Sequence, residues 1–237
     1  MGIGREDHPS LLMIGTVHRD PRGKGKLLGL LRKEQPSVVS VEISPYGRLF
    51  RDQKSAALRA TLRENLRRIN QEEGRPWREV LSHSAIQGIF LLLKEPYEWQ
   101  AATAYASETG IGIQDIDLSQ VSEEKLSHLS DIVSLENLRS LLRLSLPSLS
   151  EQVENHYRRA RFLFSHPPSV WLKSRDWEER ESIMAQKIRR LFLQAEGKKL
   201  AHIGGWEHFL ELSEGLTLYN LLKDLQPRRL LLVESEK

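Results

Sequence analysis

The sequence predicts an α/β fold: a central mixed, mainly parallel sheet of about five strands, with flanking helices and two helical insertions. Three observations carry this reading. Five short apolar runs, each bounded by Gly, Pro or charge, are too short for helices. They are continuous rather than alternating, as in strands covered on both faces. The first two are joined by one helix-length segment, a βαβ unit that makes them parallel.

The elements follow in order. Leu11–Val17 is the first strand, Gly25–Lys33 the connecting helix and Val38–Ile43 the second strand. About 65 residues of helical periodicity come next. Leu58, Leu62, Leu66 and Ile69 form an apolar stripe there, and Arg59, Arg63 and Arg67 form a solvated face beside it. Pro76 opens a second helix that runs to about Lys94. A third helix spans Tyr97 to Thr109 and ends at Gly110, a C-cap residue. Ile111–Ile116 is the third strand. A second helical stretch carries a stripe at Leu135, Leu138, Leu141 and Leu142, a break at Pro147 and a helix from Ser150 to Phe164. Asp176-Trp177-Glu178-Glu179 has the spacing of a capping box, with Asp176 as the cap. The helix behind it has a stripe at Met184, Ile188, Leu191 and Phe192. Leu200–Ile203 and Leu230–Val233 complete the strands. The expected organisation is one α/β domain over 1–237, with helical insertions at about 48–96 and 120–175.

Composition excludes several chemistries. There is no cysteine, so disulfides, Fe–S clusters, thiolate zinc sites and thiol nucleophiles are ruled out. Any metal must be held by His, Asp or Glu. The chain carries 35 Lys+Arg against 32 Asp+Glu, and this net +3 demands no polyanionic partner. Arg48 to Glu79 is locally basic, but no aromatic-interleaved basic motif accompanies it, so nucleic acid is not an expected partner. The start, MGIGREDHPS, is too charged for a signal peptide, and the longest apolar stretches are about five residues. The expectation is a soluble cytoplasmic protein without a membrane span, with a homodimer permitted.

Polar residues gather where the expected strands end. The first ends in Gly15-Thr16-Val17-His18, the second in Val41-Glu42, the third in Asp115-Ile116-Asp117. The fourth runs into His202-Ile203-Gly204-Gly205-Trp206-Glu207-His208. Parallel strands bring these ends to one edge, where open α/β sheets bind ligands. Such a set can ligate metal or do acid/base work. Glu42 ends a buried strand, so its carboxylate needs a cation or donors. Asp117 either serves the site or caps the next helix. His202 is either a ligand or a core histidine. Arg180 lies on the apolar stripe of its helix, so it must meet an anionic ligand or pair with an acid such as Glu42 or Glu98. Glu98 adjoins a small-residue face made by Ala101, Ala102, Tyr105 and Ala106.

These residues resemble the TraB/PrgY–GumN–TIKI family. The likeness rests on two G-x-x-H motifs (Gly15 to His18, Gly205 to His208), the acid at Glu42, and Glu179-Arg180-Glu181-Ser182-Ile183-Met184-Ala185. Glu98 before an alanine-rich helix and the strand-ending Asp117 add to it, and the order agrees from residue 11 to about 210. Trp206 is bulkier than the family's usual residue there. The resemblance implies a fold like that of the erythromycin-esterase and ChaN-like superfamily, and a metal-dependent hydrolase. His18, Glu42 and His208 would hold a divalent ion such as Mn²⁺, Co²⁺ or Zn²⁺. Glu42 would be third ligand or general base, with Arg180 and Glu179 catalytic beside it. Arg180, Glu98, Asp117 and His202 would contact a peptide or small ester or amide substrate. A metal-free variant would use Glu42 and His18 for acid/base hydrolysis. A rival reading is a haem-binding protein of the ChaN-like type, with Tyr97, Tyr105, His156 and Tyr157 around a flat ligand. A third is a regulatory module with a vestigial site.

Overall fold

The protein is described by a computed structural model covering residues 10–169 and 173–232. The chain divides into two units. The first is formed by residues 1–43, 97–117 and 156–237, and the second by 44–96 and 118–155.

The first unit holds the sheet. Its strands are β1 (Leu11–Thr16), β2 (Val38–Val41), β3 (Ile113–Asp115), β4 (Leu200–Gly205) and β5 (Arg228–Leu231). The spatial order is β3-β2-β4-β1-β5, and every pairing is parallel, so the sheet is not mixed. β1 and β4 are buried along their whole length, which explains their mostly apolar character. Register fixes strand limits more tightly than hydropathy does. β4 continues through Gly204 and Gly205 because they pair with Gly15 and Thr16. β5 starts early, at Arg228, because it pairs with Leu12 to Gly15 of β1. Val233, expected in that strand, lies outside the described residues.

Helices α1 (Gly23–Glu34) and α5 (Tyr97–Thr109) supply Leu27, Leu31, Ala101, Ala102 and Tyr105 to a core with Leu12, Ile14, Val39, Ala201 and Ile203. By strand alternation Leu11, Met13, Leu200 and His202 face the other way. Helix α10 (Arg175–Gln194) buries Met184, Ala185, Ile188 and Phe192. Its N-cap is Ser174, whose hydroxyl accepts from the Trp177 N–H at 3.3 Å. The expected cap, Asp176, lies inside the first turn, where its charge suits the helix dipole.

The second unit is helical. Its helices are α2 (Pro45–Glu73), α3 (Trp77–Ser82), α4 (Ser84–Leu92), α6 (Ser119–Ser127), α7 (Leu129–Ile132) and α8 (Leu135–Leu142). α2 begins with Pro45 behind the N-cap Ser44 and ends at Gly74, which takes φ +66°. Leu62, Leu66, Ile69, Val80, Ile86 and Leu138 form its core. The single helix expected from Pro76 to about Lys94 is broken at His83, whose extended backbone (ψ 126°) ends α3 and starts α4. α9 (Leu149–Ser165) follows, and from His156 onward it belongs to the first unit. Among the described residues no helix is long and apolar enough to cross a membrane.

Candidate active site

The site lies within the first unit, at the carboxyl edge of the sheet. Thr16 pairs with Gly205 and Val41 with both Ile203 and Asp115, so the four strands end within two residues of one another. The ladder continues past them. The N–H of Glu42 donates to Ile203 O at 2.8 Å, and that of Asp117 to Ile43 O at 3.1 Å. Backbone pairing thus fixes where both acids stand.

Glu42 is the hub. Its Oε1 accepts from Arg180 Nη2 at 2.5 Å and lies 3.1 Å from His208 Nε2. Its Oε2 accepts from the Gly205 N–H at 2.7 Å. Burial opposes its charge, but His208, Arg180 and His18 outweigh that and hold its pKa well below the usual carboxylate value. Arg180, 8% exposed, also donates from Nε to Asp117 Oδ1 at 2.7 Å. The guanidinium therefore bridges two carboxylates, Glu42 and Asp117, rather than pairing with Glu98.

His208 follows β4 on the short 3-10 turn Trp206–Phe209. Its Nδ1 bonds Glu181 Oε1, and Glu181 Oε2 accepts from Leu218 N–H at 2.7 Å. With a carboxylate oxygen at each nitrogen, the ring is an imidazolium. Burial works against that charge, yet Glu42 and Glu181 raise its pKa to about 10. Trp177 stacks on it with centroids 5.5 Å apart and planes at 11°, which suits a cation.

His18 is the accessible member. Its side chain is 53% exposed, and its Nδ1 lies 2.8 Å from Glu98 Oε1. Glu98 is buried on α5 and meets Thr16 Oγ1 at 3.0 Å. Nδ1 therefore carries the proton, and Nε2 is left without a partner among the described residues. Desolvation lowers the pKa of His18, but its bond to Glu98 and the charges of Glu98 and Glu42 raise it overall. A Cβ on Gly205 would stand 2.9 Å from His18 Nε2, 3.5 Å from His208 Cδ2 and 3.6 Å from Glu42 Oε2. The three side chains converge over that glycine, and its missing side chain makes room for them.

No protein-family model, curated protein or solved structure matches this chain.

The expected site residues fall into three groups. His18, Glu42, Glu98, Asp117, Arg180 and His208 converge. His202 lies beneath them: it is fully buried, with Nδ1 3.1 Å from Ser40 Oγ, its Nε2 and Glu42 Oε2 both border Gly204 (3.2 and 3.0 Å from where a Cβ would stand), and burial lowers its pKa to about 3. Glu179 is exposed on α10. Helical spacing explains this, because residue 179 shares a face with Ser182 and Gln186, whereas 181 shares one with Met184, Ala185 and Ile188. The acid that α10 delivers is Glu181, and the same stripe that placed Arg180 inward would have identified it. Trp177 carried no comparable signal in the sequence.

The donor types suit a divalent ion. Two imidazoles, each held at Nδ1 by a buried carboxylate, form the outer-shell arrangement of metal-ligating histidines. The arrangement itself does not fit one. Both oxygens of Glu42 are engaged by Arg180, Gly205 and His208, and the His208 nitrogen that would ligate faces Glu42 Oε1. Among the described residues no three His, Asp or Glu side chains form a group that could hold an ion.

The haem reading places four side chains around a ligand. Tyr97 donates its hydroxyl to Val17 O at 3.2 Å, Tyr105 to Pro36 O at 3.0 Å and Tyr157 to Asp20 Oδ2 at 3.3 Å. His156 is exposed. Three of the four are thus committed to the fold.

Proposed function

We propose that the protein is a hydrolase of peptide, ester or amide bonds that works by general acid/base catalysis at His18, with a centre resembling that of the TraB/PrgY–GumN–TIKI family. One observation carries this reading: a half-exposed imidazole whose Nδ1–H is locked on a buried carboxylate, leaving Nε2 open. That arrangement prepares a ring to take a proton. Nε2 removes a proton from water, and the resulting hydroxide attacks the substrate carbonyl carbon. The imidazolium so formed is stabilised by Glu98. It returns the proton to the leaving oxygen or nitrogen as the carbon–heteroatom bond breaks. Arg180, Asp117, Glu181 and His208 act as positioning residues that hold Glu42 charged beside the reacting centre. Glu42 itself stabilises the imidazolium on His18 by charge.

The test uses purified protein against chromogenic esters and amides, with His18→Asn as control. Turnover in the parent and its loss in the variant supports the reading. Equal rates would overturn it.

The second reading is a divalent ion, Mn²⁺, Co²⁺ or Zn²⁺, at His18, Glu42 and His208. The paired Nδ1 carboxylates favour it. It requires His208 to lose a proton and Glu42 to release Arg180. Metal analysis of the protein purified without chelator, beside His18→Ala and His208→Ala, decides it: unchanged metal content in both variants would remove this reading.

A further inference from the structure

Four non-glycine residues among those described adopt a left-handed backbone: Arg19, Gln35, Glu196 and Gln226. Gln35 and Gln226 are helix C-caps, and Glu196 follows the end of α10. Helix ends favour that conformation. Arg19 has no such setting. It follows His18 directly and is third in the turn Val17–Asp20, which the Asp20 N–H closes on Val17 O at 3.3 Å. Its φ is 66°. A turn residue with positive φ is by preference Gly or Asn, because a longer side chain crowds the neighbouring carbonyl. An arginine held there is a strained residue beside the accessible histidine.

Its charge has no internal use. Arg19 is exposed and makes no hydrogen bond or ion pair with any described residue. The adjacent acid, Asp20, is buried and already meets the Arg22 N–H at 2.9 Å, Lys26 Nζ at 3.1 Å and Tyr157 Oη at 3.3 Å. Asp20 is the sole acid between residues 16 and 33, a stretch that also bears Arg22 and Lys24 at exposed positions. The segment that follows His18 in the chain is therefore basic, while the buried centre behind it is rich in carboxylates.

We infer that Arg19 determines specificity by binding an anionic oxygen group, a carboxylate or phosphate, on the substrate. This deepens the hydrolase reading and rests on it for the position of the scissile bond. Two measurements test it. The first compares kcat/KM for p-nitrophenyl acetate with that for mono-p-nitrophenyl succinate, in the parent and in Arg19→Gly. The anionic ester is expected to be preferred, and the preference to fall about tenfold in the variant, the effect of one charge-assisted hydrogen bond. Glycine is at ease at this φ, so the variant is expected to melt no lower than the parent. The second follows the His18 ring by NMR during titration with succinate and with inorganic phosphate at fixed ionic strength. Weaker binding of either anion by Arg19→Gly supports the inference, and the tighter-binding anion names the group. Equal affinity in both proteins, or no binding in the parent, overturns it. Turnover of neither ester counts against the hydrolase reading, while the titration still decides the role of Arg19.

Discussion

Glu98 Oε1 and His18 Nδ1, 80 residues apart in the chain, meet at 2.8 Å, and this contact engages one ring nitrogen and leaves Nε2 as the other. Glu98→Gln removes the charge and keeps the shape. Activity is expected to fall about 100-fold, within the range of a positioned base. The base must be neutral to act, and Glu98 raises the pKa of His18. The acid limb of the kcat/KM profile should therefore move to lower pH in Glu98→Gln. A profile that stays in place would show that His18 is not the titrating base.

Gly205 keeps an ordinary backbone, with φ −58°. Alanine is allowed there, yet its Cβ would stand 2.9 Å from His18 Nε2. The half-exposed ring can swing outward, so Gly205→Ala should melt close to the parent. Its activity should drop about 100-fold, the cost of displacing a catalytic group by an ångström or so. Thermal melting and turnover, measured together, check both halves.

Glu42 neutralises a buried guanidinium and a buried imidazolium. Glu42→Gln leaves both with one fewer counter-charge. It should destabilise the fold by about 3–5 kcal/mol in urea titration, the range for a broken buried ion pair. A loss below about 1 kcal/mol, the range of an exposed pair, would mean that the centre is wetter than its geometry implies.

Stability should peak near pH 6.5, for two opposed reasons. His208 has its pKa raised from 6.5 to about 10, so its contribution is complete below 6.5 and fades between 6.5 and 10. His202 has its pKa lowered from 6.5 to about 3, so its contribution is complete above 6.5 and fades as pH falls toward 3. Glu42 adds a further loss in acid below 4.5, where the unfolded chain gains a proton and the folded site resists it. Melting temperature against pH tests this. His202→Gln should flatten the stretch between 6.5 and 4.5 and leave the alkaline side unchanged.

Much of this site was legible in the strand ends. A polar residue just past an apolar run points to the sheet edge once the strands are parallel, which places His18, Glu42 and Asp117 there, with Asp117 also open to a capping role. Glu98 was marked by its alanine-rich face and Arg180 by its place on an apolar stripe. Glu181 carried the same signal as Arg180, but the resemblance put the catalytic acid at Glu179 instead. His202 was open to two readings because strand alternation decides which face a residue takes but not what waits there. Its ring meets Ser40 and Phe209 in the core, with the Phe209 centroid 5.6 Å away.

The sequence by itself determined the α/β class, the strand identities and the kinds of side chain available: imidazole, carboxylate and guanidinium, with no thiol. Those properties are local, since hydropathy runs, turn residues and composition act over a few positions. Tertiary structure alone decided the pairings. Nothing in the chain order says that β4 lies between β1 and β2, yet that order brings His208 beside Glu42 and His18 over Gly205. It also decided that Arg180 joins Glu42 to Asp117 and that His208 stands between the carboxylates of Glu42 and Glu181. Charge partners are a matter of distance through space, and here that distance is fixed by parallel strand register.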